Sequence, residues 1–126
     1  MSANAAFTAT RIHYTEEDDV YILGVGDDDE EPEHFFIISR FDEEDEPVDK
    51  CIGFQSDATE YELTAAIASI VLSNKSVTVT LTDSAAQVTG IQHTGATFKA
   101  GYDPTELCTW LQALTVGSTI RLVIEE

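Results

Sequence analysis

Apolar and polar residues alternate in short runs along most of the chain, and one segment near the C-terminus repeats its apolar residues at helical spacing instead. Phe7 to Tyr14 alternates, with Thr8, Thr10 and Ile12 on one side and Phe7, Ala9 and Arg11 on the other, and predicts a first strand. Glu16 to Asp19 forms a charged turn. Val20 to Val25 predicts a second strand, closed by Gly24 and Gly26. His34 to Phe41 predicts a third, with Phe35, Ile37 and Phe41 facing one way and Phe36, Ile38 and Arg40 the other. Apolar character on both faces suits a central strand.

Cys51 to Phe54 and Tyr61 to Leu63 read as further short strands. Composition alone leaves Ala65 to Leu72 open between helix and strand. The turn residues Ser73 to Ser76 and the period-two run Val77 to Thr82 decide for a hairpin. Asp83 to Thr89, stopped by Gly90, is at most two turns of helix, and Gly95 to Lys99 is a short strand. The clearest helix starts at Asp103, which caps it, with Pro104 in the first helical position and Glu106 completing a capping box. Leu107, Trp110, Leu111 and Leu114 then recur at i, i+3, i+4 and i+7, and Gly117 ends the run. Thr119 to Ile124 predicts a last strand with Ile120, Leu122 and Ile124 inward. These elements predict an α+β fold, an antiparallel sheet with one main C-terminal helix packed on one face. With 126 residues and neither repeat nor linker, residues 1–126 are expected to form a single domain.

Charge is distributed unevenly along the chain. The chain carries a net charge of −18, and sixteen of its 24 acidic residues fall between Glu16 and Asp49, much of them in the loops Asp27 to Glu33 and Asp42 to Asp49. Such a surface repels nucleic-acid phosphates and anionic membranes and leaves a basic partner open. No run approaches the length of a membrane span, and the first residues have neither a basic start nor an apolar signal core, so a soluble cytoplasmic protein is expected. Cys51 and Cys108 stand far apart with no CxxC pair, which fits two small buried hydrophobes in a reducing compartment.

Nothing in the chain calls for catalysis or a cofactor. Asp27 to Glu31 and Asp42 to Glu46 are contiguous solvated runs, whereas a catalytic carboxylate needs burial or a neighbour that shifts its pKa. The helix-loop-helix calcium pattern fails from Asp27, because Pro32 occupies its sixth position and Ile38 its twelfth. His13, His34 and His93 are scattered, no nucleophile has a recognisable base, and Gly24 to Gly26 lacks the third glycine of a dinucleotide loop. Trp110 lies on the apolar stripe of the capped helix, where core packing is the first expectation and an interface anchor the second.

Tyr21, Gly24, Asp28, Pro32 and Arg40, followed by Leu72, Ser73, Leu81 and Asp83, make an ordered set: a strand ending in glycine, an acidic loop with proline, an apolar strand closing on arginine, and a serine-bearing hairpin leading into a short helix. In this the chain resembles the immunity protein 10 family of bacterial polymorphic toxin systems over Val20 to Thr115, and departs from that pattern at Gln55 to Leu63, where glycines are missing. The resemblance implies a cytoplasmic inhibitor without chemistry of its own that binds and neutralises a cognate toxin domain. A basic nuclease would suit an acidic surface. On this reading Asp27, Asp28, Asp29, Glu30 and Glu31 contact the partner first and Asp42, Glu43, Glu44 and Asp45 second, while Arg40 pairs with a carboxylate to orient the loops. The alternatives are an acidic interaction domain of halophile type and a weak divalent-cation-binding module. The first is disfavoured by the mild charge of the second half of the chain.

Overall fold

The structure, a computed structural model, describes residues 3–27, 33–57, 59, 61–98 and 104–125. A first sheet has the order β1 (Ala3–Ala9), β9 (Ile91–Phe98), β8 (Ser76–Leu81), β7 (Ile67–Leu72), β10 (Arg121–Ile124). The second runs β2 (Arg11–Glu17), β3 (Val20–Gly26), β4 (Phe35–Arg40), β5 (Ile52–Ser56), β6 (Leu63–Thr64) in simple sequence order. Two α-helices, α1 (Asp83–Thr89) and α2 (Pro104–Thr115), and a short 3-10 helix at Val48–Cys51 complete the described elements.

The α+β class therefore holds, and the expectation of one antiparallel sheet does not: there are two five-stranded sheets, and β1 with β9 and β10 with β7 pair in parallel. The cause lies at Thr10. Phe7 and Ala9 turn towards the core before it, and Ile12 and Tyr14 turn towards the core after it, so the alternation slips by one residue. A one-residue slip sends a strand's apolar set to the other face unless the chain bends. The single strand expected over Phe7 to Tyr14 is accordingly two, β1 in one sheet and β2 in the other, with Thr10 N–H still donating to Gly26 O at 3.0 Å.

The remaining elements follow the pattern closely. β4 is the central strand of its sheet, and β7 and β8 form the hairpin expected around Ser73 to Ser76. Thr82 caps α1 by accepting the Ala85 N–H at 3.2 Å, and Gly90 closes that helix with φ 78°, a conformation that strains any residue with a Cβ. Pro104 opens α2, whereas the proposed cap Asp103 lies outside the described residues. β9 starts earlier than expected, and Ile124, expected inward, is 43% exposed because β10 forms the edge of its sheet.

One apolar cluster draws on both sheets and on α2. Leu23, Phe36, Ile38 and Phe54 come from the second sheet, Ile70, Leu72, Val79 and Leu81 from the first, and Leu107, Leu111 and Leu114 from the helix, all essentially without solvent exposure. The helix is thus a structural part of the core. Leu111→Ala is expected to lower unfolding free energy by about 2–5 kcal/mol, the range for a fully buried leucine cut back to a methyl group; a denaturant titration followed through Trp110 fluorescence measures it.

Candidate functional site

In an up-and-down sheet, alternate connections fall at the same end. The β2–β3 turn at Asp18 and Asp19 therefore lies beside the connection from β4 to β5, and the β3–β4 connection lies at the opposite end with that from β5 to β6. Asp18 and Asp19 have φ of 53° and 65°, the left-handed pair of a tight two-residue hairpin that aspartate tolerates well. Nine carboxylates gather at this first end: Glu16 and Glu17 from the end of β2, a segment expected to be part of the turn, Asp18 and Asp19 from the turn itself, and Asp42, Glu43, Glu44, Asp45 and Glu46 from the loop after β4. All nine residues are exposed.

Arg40 anchors that loop. It occupies the inward-facing row Glu16–Tyr21–Arg40–Ile52 across the strands, and its side chain is only 9% exposed. Nη1 donates to the carbonyl oxygens of Ala113 (3.1 Å), Leu114 (3.3 Å) and Val116 (2.7 Å) at the C-terminus of α2. Nε donates to Asp42 Oδ1 at 2.9 Å and Nη2 to Asp42 Oδ2 at 3.4 Å. The planar fork of guanidinium suits this two-sided task, which an ammonium could not reproduce. At the far side of the loop, Asp49 accepts the Thr119 N–H at 2.8 Å on Oδ1 and the Thr119 hydroxyl on Oδ2. One end of the acidic loop is thereby fastened to the C-terminus of α2 and the other to the segment that follows it.

Aromatic rings stand behind the carboxylates. Trp110 packs against Tyr14 at 5.2 Å and edge-on to Tyr21 at 6.0 Å between ring centroids. It is half-buried, so it packs as expected of a core residue while keeping one side open. The Tyr21 hydroxyl donates to Glu16, and its pKa is raised above the usual 10.0 by that hydrogen bond and the Glu16 charge, then by burial and by Asp19 and Asp42.

At the other end, Asp27 works inward. Its Oδ1 accepts the N–H groups of Glu33 (3.0 Å) and His34 (3.3 Å), closing the loop on itself. Asp57 Oδ1 accepts the Phe35 N–H at 3.1 Å, and His34 Nδ1 lies 3.3 Å from Asp57 Oδ2. Asp28, Asp29, Glu30 and Glu31 lie outside the described residues.

The two loops read from the sequence as a first and a second contact segment thus leave from opposite ends of one sheet. Asp42, Glu43, Glu44 and Asp45 are joined by Glu16 to Asp19, which local sequence marks only as a charged turn. Strand order carried that signal, since the connections before β3 and after β4 share an end once β2, β3 and β4 pair in sequence. Arg40 pairs with a carboxylate as expected and also binds the helix terminus, a contact some seventy residues away that no local pattern reveals. Among the described residues, no group of three or more histidine, cysteine, aspartate or glutamate side chains converges as a metal site, and no helix is long and apolar enough to cross a membrane. Cys51 is buried and Cys108 half-buried, both as free thiols. Neither the known protein-family models nor the characterised proteins contain a match to this sequence.

Arg40→Met is expected to cost about 3 kcal/mol, because it strands carbonyl groups at the end of α2, whereas Asp42→Asn should cost under about 1 kcal/mol since that carboxylate is 65% exposed. Chemical denaturation of both variants checks the contrast. For Tyr21 the folded pKa exceeds the unfolded value, so its contribution to stability is present below pH 10.0 and is lost as pH rises through the raised value. Glu16→Gln is expected to bring the Tyr21 titration back towards its usual position, followed by phenolate absorbance and by quenching of the neighbouring Trp110.

Proposed function

We propose that this chain is an immunity protein, an inhibitor that binds a cognate bacterial toxin domain and neutralises it. The observation that carries the reading is the gathering of nine exposed carboxylates at one end of the second sheet, five of them on a loop held in place by Arg40 and Asp49. Like charges at that density repel one another in the free protein, and a cationic partner relieves the repulsion. Charge of one sign also steers encounter and disfavours other acidic partners.

The resemblance of Tyr21, Gly24 and Arg40 to the immunity protein 10 family supports the same reading, and these residues fall within the sheet that carries the acids. The partner class is a toxin with a basic contact surface, and a nuclease is one such enzyme, because carboxylates then stand where substrate phosphates would lie. The inhibitor needs no catalytic group or cofactor for this, and its site of action is the cytoplasm in which the toxin is made.

A co-expression assay tests the proposal. The C-terminal domain encoded by the adjacent upstream open reading frame is produced in a sensitive host with and without this chain, and relief of killing is the expected result. Replacing Asp42, Glu43, Glu44 and Asp45 with their amides is expected to weaken protection without unfolding the protein, since exposed carboxylates in water contribute little to stability. Undiminished killing in the presence of the folded chain would overturn the reading.

A further inference from the structure

We propose that the outward face of the second sheet is the surface on which the partner docks, and that the partner presents an apolar centre with a basic flank. This rests on the reading of the chain as an inhibitor, and it moves the main contact from the acidic loops to the sheet between them. In β3, β4 and β5 the inward residues Leu23, Val25, Phe36, Ile38, Ile52 and Phe54 are buried, so alternation turns Val20, Ile22, Phe35 and Ile37 outward, and Phe41 stands exposed one residue past the end of β4. Every one of those five keeps some exposure, with Ile22 at 36% and Phe41 at 50%. An outward sheet face that meets only water normally carries polar residues. β8 of the other sheet does so, presenting Ser76, Thr78 and Thr80 at its outward positions, where β4 presents Phe35, Ile37 and Ser39. Gly24, cross-strand to Ile37, flattens the middle of the face: a Cβ there would meet only His13 Cβ, at 3.9 Å.

Charge names the occupant. The face ends at Glu17, Asp18 and Asp19 with Asp42 on one side; on the other, the Asp27 and Asp57 carboxylates are engaged by backbone N–H groups and His34, and the exposed Arg11 pairs with Gly26 at that end. A second copy of this chain would bring two sets of these acids together, and an acidic partner would do the same. A protein with an apolar patch flanked by lysine or arginine fits both features, the arrangement of apolar centre and charged rim found at specific interfaces. Rim charges act mainly on the association rate, and desolvated apolar anchors act mainly on dissociation.

Binding kinetics separate the two roles. The full chain is captured on a surface, and the C-terminal domain encoded by the adjacent upstream open reading frame is passed over it. Ile22→Thr with Phe41→Gln is expected to speed dissociation roughly thirtyfold with little change in association, the scale of losing a central anchor. The four amide substitutions at Asp42 to Asp45 are expected to slow association and reduce its salt dependence instead. Ile124→Thr, on the exposed edge of the first sheet, is expected to change neither rate. Thermal melts establish that each variant is folded, and Ile22→Thr alone, which keeps a β-branched residue in the strand, replaces the pair if the pair melts early. Unaltered dissociation of the Ile22 and Phe41 variants, or loss of binding through Ile124→Thr, would overturn the docking face and leave the inhibitor reading standing. No binding by the unaltered chain would remove both.

Discussion

A single guanidinium reconciles two negative features that the fold forces together. α2 ends beside the loop that follows β4, so the carbonyl-rich, negative end of the helix dipole lies close to Asp42 and the acids after it. Arg40 stands between them, nearly withdrawn from water, and donates to carbonyls on one side and to a carboxylate on the other. A buried charge is tolerated only when its donors are satisfied, and here both surroundings supply acceptors. Remove it and two like-signed groups face each other across a cavity. With it in place, the C-terminal helix, the central strand and the acidic loop are one mechanical unit.

That unit decides what the charge can do. Carboxylates on an unanchored loop would spread apart and add only to solubility. Fastened by Arg40 at one end and by Asp49 to Thr119 at the other, the loop from Asp42 to Glu46 keeps a fixed place beside the β2–β3 turn. The interior behind it is apolar and aromatic, with Trp110 against Tyr14 and Tyr21, and of the carboxylates at this end Asp42 is held by Arg40 and Glu16 by the Tyr21 hydroxyl. Tyr21 registers the local field through its raised pKa.

Much of this was legible in the sequence where a local rule applied. The third strand, the hairpin around Ser73 to Ser76, both helices and the stop at Gly90 follow from alternation, helical spacing and turn chemistry over a few residues. What escaped depends on pairing between distant segments. A one-residue slip at Thr10 divides the fold into two sheets, and it shows in the sequence only as an apolar phase that fails to continue from Ala9 to Ile12. The parallel pairing of β10 with β7 has no local mark at all. For the acids, composition located the charge along the chain, but strand order sorted it in space, separating Asp27 from Asp42 and joining Asp42 to Glu16–Asp19. Arg40 could be read as a residue that pairs with a carboxylate, while its grip on α2 needed the fold.

The outward face of the second sheet and its acidic end act together: apolar area gives a partner something to bury, and flanking charge selects which partner can approach. Isoleucine methyl NMR of the full chain, titrated with the C-terminal domain encoded by the adjacent upstream open reading frame, tests that claim most directly, because isoleucines mark both faces. Ile22 and Ile37 are predicted to shift on binding while the inward Ile38, Ile52 and Ile70 stay largely in place. Shifts confined to Ile120 and Ile124, beside the first sheet's edge, would contradict the account.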